Sequence, residues 1–257
     1  MVTISFVKMH GAGNDFVMID NRGGSFPVDR ESVASVAVRP GGIGCEGVIF
    51  VEHSSRADFR MRFFNPDGAE AEMCGNGARC VAAFARKIGA AAGDRMRFET
   101  MAGDVEAEIL AEGAVRIKMP DPSSLKGDFV KTGVPHVIVP VDDVAAVDVC
   151  GEGRRIRFSE EFAPAGTNVD FVEYHAPRGL KIRTYERGVE NETGACGTGS
   201  VAAAVVGVAN YAMEFPVAVT TAGGYTLVVD GERSADGFAS VTLTGPVAAV
   251  FRGEIDV

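Results

Sequence analysis

No apolar run in this chain reaches the roughly 18–20 residues that a membrane-spanning helix requires; the longest, 201–209, is about half that and is expected to be a buried helix. Residues 1–8 lack a basic region followed by a long apolar stretch, so no signal peptide is expected. Cysteine is scarce and odd in number, five in all, without the dense spacing of a secreted disulfide scaffold. Reduced thiols and a cytoplasmic location are expected. No Cys-x-x-Cys, His-x-x-x-His or His-Glu-x-x-His occurs, so a zinc site has no support. Positive charge is also short: 25 Lys+Arg against 35 Asp+Glu leave a net charge of −10. The densest basic stretches, 95–97 and 154–157, are interrupted by apolar or acidic neighbours, which argues against a grip on nucleic acid.

At 46% hydrophobic and 23% charged the chain is an ordinary globular protein, and 257 residues allow one large domain or two of usual size. β-Branched or alternating apolar residues predict short strands at 2–7, 48–52, 59–64, 105–110, 115–119, 137–141, 170–174, 181–185, 217–221, 226–229 and 239–243. Helices are predicted at 29–38, 76–88 and 198–213, with a short turn at 159–162. Strands and helices do not alternate regularly. Mixed or antiparallel sheets around a few buried helices therefore fit better than a parallel sheet.

The chain repeats itself once. Cys74-Gly-Asn-Gly77 and Cys196-Gly-Thr-Gly199 lie 122 residues apart, and at the same offset Gly11 meets Gly133, Gly44 meets Gly166, Phe63 meets Tyr185 and Glu70 meets Glu192. Each copy reads as strand, turn, acidic residue, Cys-Gly-x-Gly and an alanine-rich helix. Two similar halves are expected, with a junction near Met119-Pro-Asp-Pro122 and equivalent cysteines across a cleft.

Those two segments suit a particular chemistry. Glycines let the backbone approach a ligand closely and turn into a helix. The helix start offers N–H groups outside the helical ladder and a positive dipole end, which together attract a carboxylate. The same field favours a thiolate at the first position. Cys45, Cys80 and Cys150 lack that setting and are read as space-fillers. Gly42-Ile-Gly-Cys-Glu-Gly47 matches a dinucleotide fingerprint by letter, but a strand follows where a helix is needed. Pyridoxal phosphate needs a lysine, and none of the six stands in a phosphate-binding context.

His10-Gly-Ala-Gly-Asn-Asp-Phe16, Phe64-Asn-Pro-Asp-Gly68, Met73-Cys-Gly-Asn-Gly-Ala-Arg-Cys80, Gly133-Val-Pro-His136, Glu186-Arg-Gly188 and Glu192-Thr-Gly-Ala-Cys-Gly-Thr-Gly199 resemble the signature segments of the diaminopimelate epimerase family. The match runs in order from about residue 5 to about 245. The resemblance implies an α+β protein of two similar domains, 1–118 (completed by about 246–257) and 119–245. Each would be a mixed, largely antiparallel sheet or barrel around a central helix, with the active site in the cleft between them. It also implies a cofactor-free isomerase that interconverts LL- and meso-2,6-diaminopimelate in lysine and peptidoglycan precursor biosynthesis, acting as a cytoplasmic homodimer.

Cys74 and Cys196 match the family's two catalytic cysteines. Gly75, Asn76, Gly197 and Thr198 would hold the α-carboxylate; Asn14, Asn65, Asn168 and Arg187 match residues that hold the far end of the substrate. Glu186 and His136 match groups that tune the thiols. Val134 stands where the family often has asparagine, and Cys45-Glu46 where Ala-Asp or a glutamine-bearing version is common. A related racemase for another amino acid (proline, hydroxyproline or histidine type), a non-catalytic amino-acid-binding protein and a thiol–disulfide enzyme stay open as alternatives.

Overall fold

A computed structural model describes residues 2–257. The first half runs β1 (Thr3–Gly11), β2 (Asn14–Asp20), α1 (Arg30–Ala37), β3 (Gly47–Glu52), β4 (Phe59–Phe64), β5 (Glu70–Ala71), α2 (Gly75–Lys87), β6 (Arg95–Thr100), β7 (Gly103–Ile109) and β8 (Val115–Lys118). The second half runs β9 (Ser123–Lys126), β10 (Phe129–Lys131), β11 (Pro135–Pro140), α3 (Val149–Arg157), β12 (Asn168–His175), β13 (Gly179–Glu186), β14 (Asn191–Thr193), α4 (Gly197–Asn210), β15 (Val217–Thr220), β16 (Thr226–Ser234), β17 (Gly237–Gly245) and β18 (Val247–Asp256). Two compact units result: residues up to Ile117 with Gly245–Val257, and Lys118–Thr244.

In the first unit the ladder order is β18-β1-β2-β3-β4-β6-β7-β8, with β5 folded back on β4. The pairs β2–β3 and β4–β6 are parallel; the rest are antiparallel. In the second unit the order is β9-β10-β11-β12-β13-β15-β16-β17, with β14 folded back on β13 and the parallel pairs at the equivalent places, β11–β12 and β13–β15. The duplication read from the cysteine segments is thus repeated strand for strand. Among the described residues neither ladder closes within its unit, so the sheet form of the expectation is the observed one and the barrel form is not.

Side chains alternate across a strand, so a strand covered on both faces is apolar throughout. β3 is such a strand: Val48 and Phe50 join Val33 and Val36 of α1 in one cluster, while Ile49 lies under α2. In the second unit Val169 and Phe171 of β12 pack with Val149 of α3, and the intervening Asp170 and Tyr174 meet α4. Helix α4, Gly-Thr-Gly-Ser-Val-Ala-Ala-Ala-Val-Val-Gly-Val-Ala-Asn, is apolar on every side and accordingly buried from Ser200 to Gly207. Tyr174 caps this contact by donating its hydroxyl to Ala203 O at 3.1 Å.

The ladders also correct details. Val48 pairs with Phe64 and Val169 with Tyr185, so Tyr185 corresponds to Phe64 rather than to Phe63. His10 lies on β1, and its Nδ1 accepts from Gly13 N–H at 3.4 Å across the β1–β2 turn. Cys150 fills no core. It is exposed on α3 with its sulfur 3.0 Å from Asn191 Oδ1, whereas Cys45 and Cys80 are buried.

Candidate active site

Both cysteines occupy the residue before a helix. Cys74 is extended at φ −128° and ψ 123°, and Cys196 at φ −110° and ψ 114°, so each chain enters its helix from a strand-like residue. The first bonds of the two helices run from Ala78 N–H to Cys74 O at 2.8 Å and from Ser200 N–H to Cys196 O at 3.0 Å. The amides of Gly75–Gly77 and Gly197–Gly199 therefore stand outside the helical ladder, where an anion can be held. Glycine is needed close by. A Cβ on Gly11 of β1 would lie 2.8 Å from Asn76 O, and one on Gly199 would lie 2.4 Å from Asp170 Oδ1.

The surroundings of the two sulfurs differ. Cys74 is half-buried, and its Sγ donates to Asn14 Oδ1 at 3.5 Å. Asn76 Nδ2 donates to the same oxygen at 3.4 Å, and Asn14 Nδ2 donates to Glu46 Oε2. Glu46 is pinned in turn by Asp15 N–H, 3.2 Å from the same oxygen. The altered Glu46 position thus touches the candidate site through Asn14.

Cys196 is buried, and its Sγ accepts from Gly199 N–H at 3.4 Å and lies 3.5 Å from Thr198 Oγ1. Thr198 Oγ1 is 2.9 Å from His136 Nε2, and His136 Nδ1 is 2.7 Å from Asp170 Oδ2. Thr184 Oγ1 donates to the other oxygen, Asp170 Oδ1, at 2.7 Å. A carboxylate can only accept, so Asp170 fixes the proton of His136 on Nδ1. With the ring neutral, Nε2 accepts from Thr198, and the threonine oxygen is left to accept from the thiol. A chain of donors runs from Cys196 to Asp170.

Burial pushes the Cys196 thiol well above its ordinary value, and the Glu186 and Asp170 carboxylates add to the effect; the Thr198 hydroxyl and Gly199 N–H work against it. Burial likewise pushes up Cys45 and Cys80. In the unfolded chain all three ionise near about pH 8.5. Above that pH the folded state holds more protons than the unfolded one, so stability falls as pH rises, by at most about 1.4 kcal/mol per thiol per pH unit. Urea midpoints under reductant should drop between about pH 7.5 and about pH 9.5; a flat midpoint would show that these thiols ionise freely in the fold.

The remaining expected residues are placed less uniformly. Asn168 spends its amide on backbone, accepting from Arg187 N–H at 2.8 Å and donating to Pro135 O at 2.9 Å, so it ties β11 to the end of β13 and sets where Arg187 begins. Arg187 lines a pocket of about 370 Å³ with Lys131, Phe129 and Phe162. Asn65 is exposed in the β4–β5 turn, where Gly68 N–H donates to its carbonyl at 2.9 Å. Asp170 and Thr184 escape a reading of the sequence. The available signal is one carboxylate inside the apolar run Val169–Phe171–Val172 of a covered strand. By ladder position Asn14 corresponds to Val134, because Phe16 pairs with Gly47 as His136 pairs with Asn168. The Val134 departure therefore removes, from the second half, the counterpart of the amide that holds Cys74.

Among the described residues no group of three or more His, Cys, Asp or Glu could hold a metal ion, and no helix is long and apolar enough to cross a membrane. The family model for diaminopimelate epimerase matches residues 6–125 and 129–250. The chain belongs to the diaminopimelate epimerase family. It is 44% identical to the diaminopimelate epimerase of Chlorobaculum tepidum, over 96% of this chain and 99% of that one. It is 42% identical to the diaminopimelate epimerase of Aquifex aeolicus, over 98% of each. A phenazine biosynthesis protein of the PhzF family from Bacillus anthracis superposes with a TM-score of 0.76 at 18% identity over 100% of both chains, a likeness of fold alone.

Proposed function

We propose that this member of the family interconverts LL- and meso-2,6-diaminopimelate without a cofactor, using Cys74 and Cys196 as the acid–base pair. One observation carries the reading: each half places a cysteine at the start of a Gly-x-Gly helix, and each sulfur sits in its own hydrogen-bond network. The names of the relatives support the substrate. One thiolate takes the α-proton; the Cα–H bond breaks and its electron pair spreads into the α-carboxylate. The thiol of the other cysteine then delivers a proton to the opposite face, which inverts the carbon and exchanges the roles of the two sulfurs.

Charge that develops on the carboxylate meets the amides of Gly75, Asn76, Gly197 and Thr198, and such preorganised donors stabilise it where water would have to reorient. Asn14, Asn65 and Arg187 are assigned to the far end of the substrate, with Arg187, set in place by Asn168, suited to pair with a carboxylate through two hydrogen bonds; Glu186, whose carboxylate acts on Cys196, is assigned to the reacting end. His136 acts on Cys196 through Thr198. The family resemblance also supports a cytoplasmic homodimer. The test is chiral chromatography of LL-2,6-diaminopimelate incubated with reduced protein. Appearance of the meso isomer supports the proposal; no conversion by folded, reduced protein sinks it, and the altered Val134 and Glu46 positions then direct the search to other amino acids.

A further inference from the structure

Helix α2 contains a fully buried arginine, Arg79, whose partners include no carboxylate. Nη2 donates to Asn76 Oδ1 at 2.7 Å and Nη1 to Gly75 O at 3.3 Å, while Nε is buried without a partner. An unpaired cation in the interior is costly to keep. The fold does not require it, since the same place on the duplicated helix α4 is held by Val201, which is equally buried. Burial lowers the proton affinity of Arg79, and the sulfurs of Cys80 and Cys74 work in the opposite direction.

Arginine can only donate, so Asn76 must turn its oxygen to Arg79 and its nitrogen to Asn14. Asn14 then presents its oxygen to Asn76 and to Cys74, and its nitrogen to Glu46. A cation at one end of the chain and a carboxylate at the other thus leave the two amides a single orientation, with the Cys74 sulfur attached at its middle.

We propose that Arg79 is a positioning residue for Cys74: it fixes the Asn76 and Asn14 amides beside the sulfur, and its buried positive charge outweighs the Asn14 oxygen, which by itself would hold the proton on the thiol. The neighbouring titratable groups do not replace it. Cys80, on the same helix, is pushed up by burial and stays neutral. Asp15 on β2 is matched by Lys8 of β1 at 2.7 Å and by Arg39 at 3.0 Å. His10 of β1 receives the Gly13 N–H. Glu46 opposes Arg79 but is exposed, so water screens it, whereas the field of a buried charge is screened much less. The two halves then carry opposite charge beneath their cysteines, Arg79 in one and Asp170 in the other. Of the two sulfurs, Cys74 is then the one that gives up its proton more easily.

The inference rests on Cys74 serving as an acid–base group, but its test reads the thiol and needs no turnover. The rate of Cys74 alkylation by iodoacetamide is followed against pH by peptide mass spectrometry. In the unaltered protein the profile should rise below the value of about 8.5 for an ordinary thiol. In Arg79→Met, which keeps the bulk and removes the charge, it should move up by about one pH unit or more, so that alkylation at neutral pH slows about tenfold. Arg79→Lys should return the profile most of the way. A purely structural arginine would cost stability in the Met variant without moving the profile. An unshifted profile in folded Arg79→Met overturns the proposal. So does a profile at or above about 8.5 in the unaltered protein, which decides the matter even if the Met variant does not fold. A low profile in a protein that fails to convert diaminopimelate would remove the assigned reaction and leave the role of Arg79 standing.

Discussion

Replacing Cys74 by serine or Cys196 by alanine is expected to lower the rate of inversion by about 10²–10⁴-fold while leaving the protein folded, as measured by conversion of LL-2,6-diaminopimelate and by circular dichroism. The physical reason is that inversion needs a base on one face and an acid on the other, and neither replacement can ionise near neutral pH. Stability should respond differently at the two positions. Cys196 accepts the Gly199 N–H, so alanine there removes a helix cap and costs about 1 kcal/mol. Cys196→Ser restores a capping oxygen and should recover that stability without recovering turnover. Cys74 makes no such cap bond, so Cys74→Ser should be close to neutral in stability. Full turnover in either single variant would remove the two-cysteine scheme.

Asp170→Ala is expected to be strongly destabilising, by about 2–5 kcal/mol in urea unfolding, because it leaves two buried donors, His136 Nδ1–H and Thr184 O–H, without an acceptor at about 1–3 kcal/mol each. Both members of the Asp170–His136 pair are fully buried, and removing the carboxylate also strips Thr184 of its acceptor. Asp170→Asn keeps the shape and separates charge from packing. The amide can donate to Nδ1, which moves the ring proton to Nε2 and reverses the bond to Thr198, so turnover should fall by about 10²-fold. Loss of a nearby negative charge should also lower the Cys196 pKa, so that its alkylation begins at lower pH than in the unaltered protein, although burial, the larger cause, still holds it above the ordinary thiol value. Unchanged alkylation and turnover in Asp170→Asn would show that the His136 network does not act on Cys196.

The parts of this architecture that are legible in the sequence are those set by local chemistry. Each Cys-Gly-x-Gly segment announces a helix start by its own glycines, and α1, α2 and α4 stand within two to three residues of their expected bounds. The strands β3, β4 and β15 are likewise bounded by their own apolar residues. Other elements owe their state to distant partners. β18 is mostly exposed and weakly patterned, and becomes a strand by pairing along β1 from Gly11–Val247 to Thr3–Asp256. β2 lies beyond a turn in which Ala12 takes φ 52° and Gly13 φ 90°, so the segment reads as a glycine-rich loop. α3 carries Gly151 and Gly153, which lower its intrinsic helicity, and is held by the Asp148 cap and by packing of Val149. At the candidate site, Asp170 and Arg79 are charged residues that would be placed on the surface by type; only contacts made across the fold bury them.

Proton exchange through two sulfurs is read most directly from the reaction of LL-2,6-diaminopimelate with reduced protein in D₂O, sampled at early times for both isomer ratio and α-deuterium by chromatography and mass spectrometry. Two bases predict that the first meso product carries deuterium at the inverted carbon, while recovered LL substrate stays unlabelled, because the abstracting sulfur returns the original proton to the face it came from. Meso product free of solvent deuterium, or label entering recovered substrate as fast as product, would contradict the two-sulfur account.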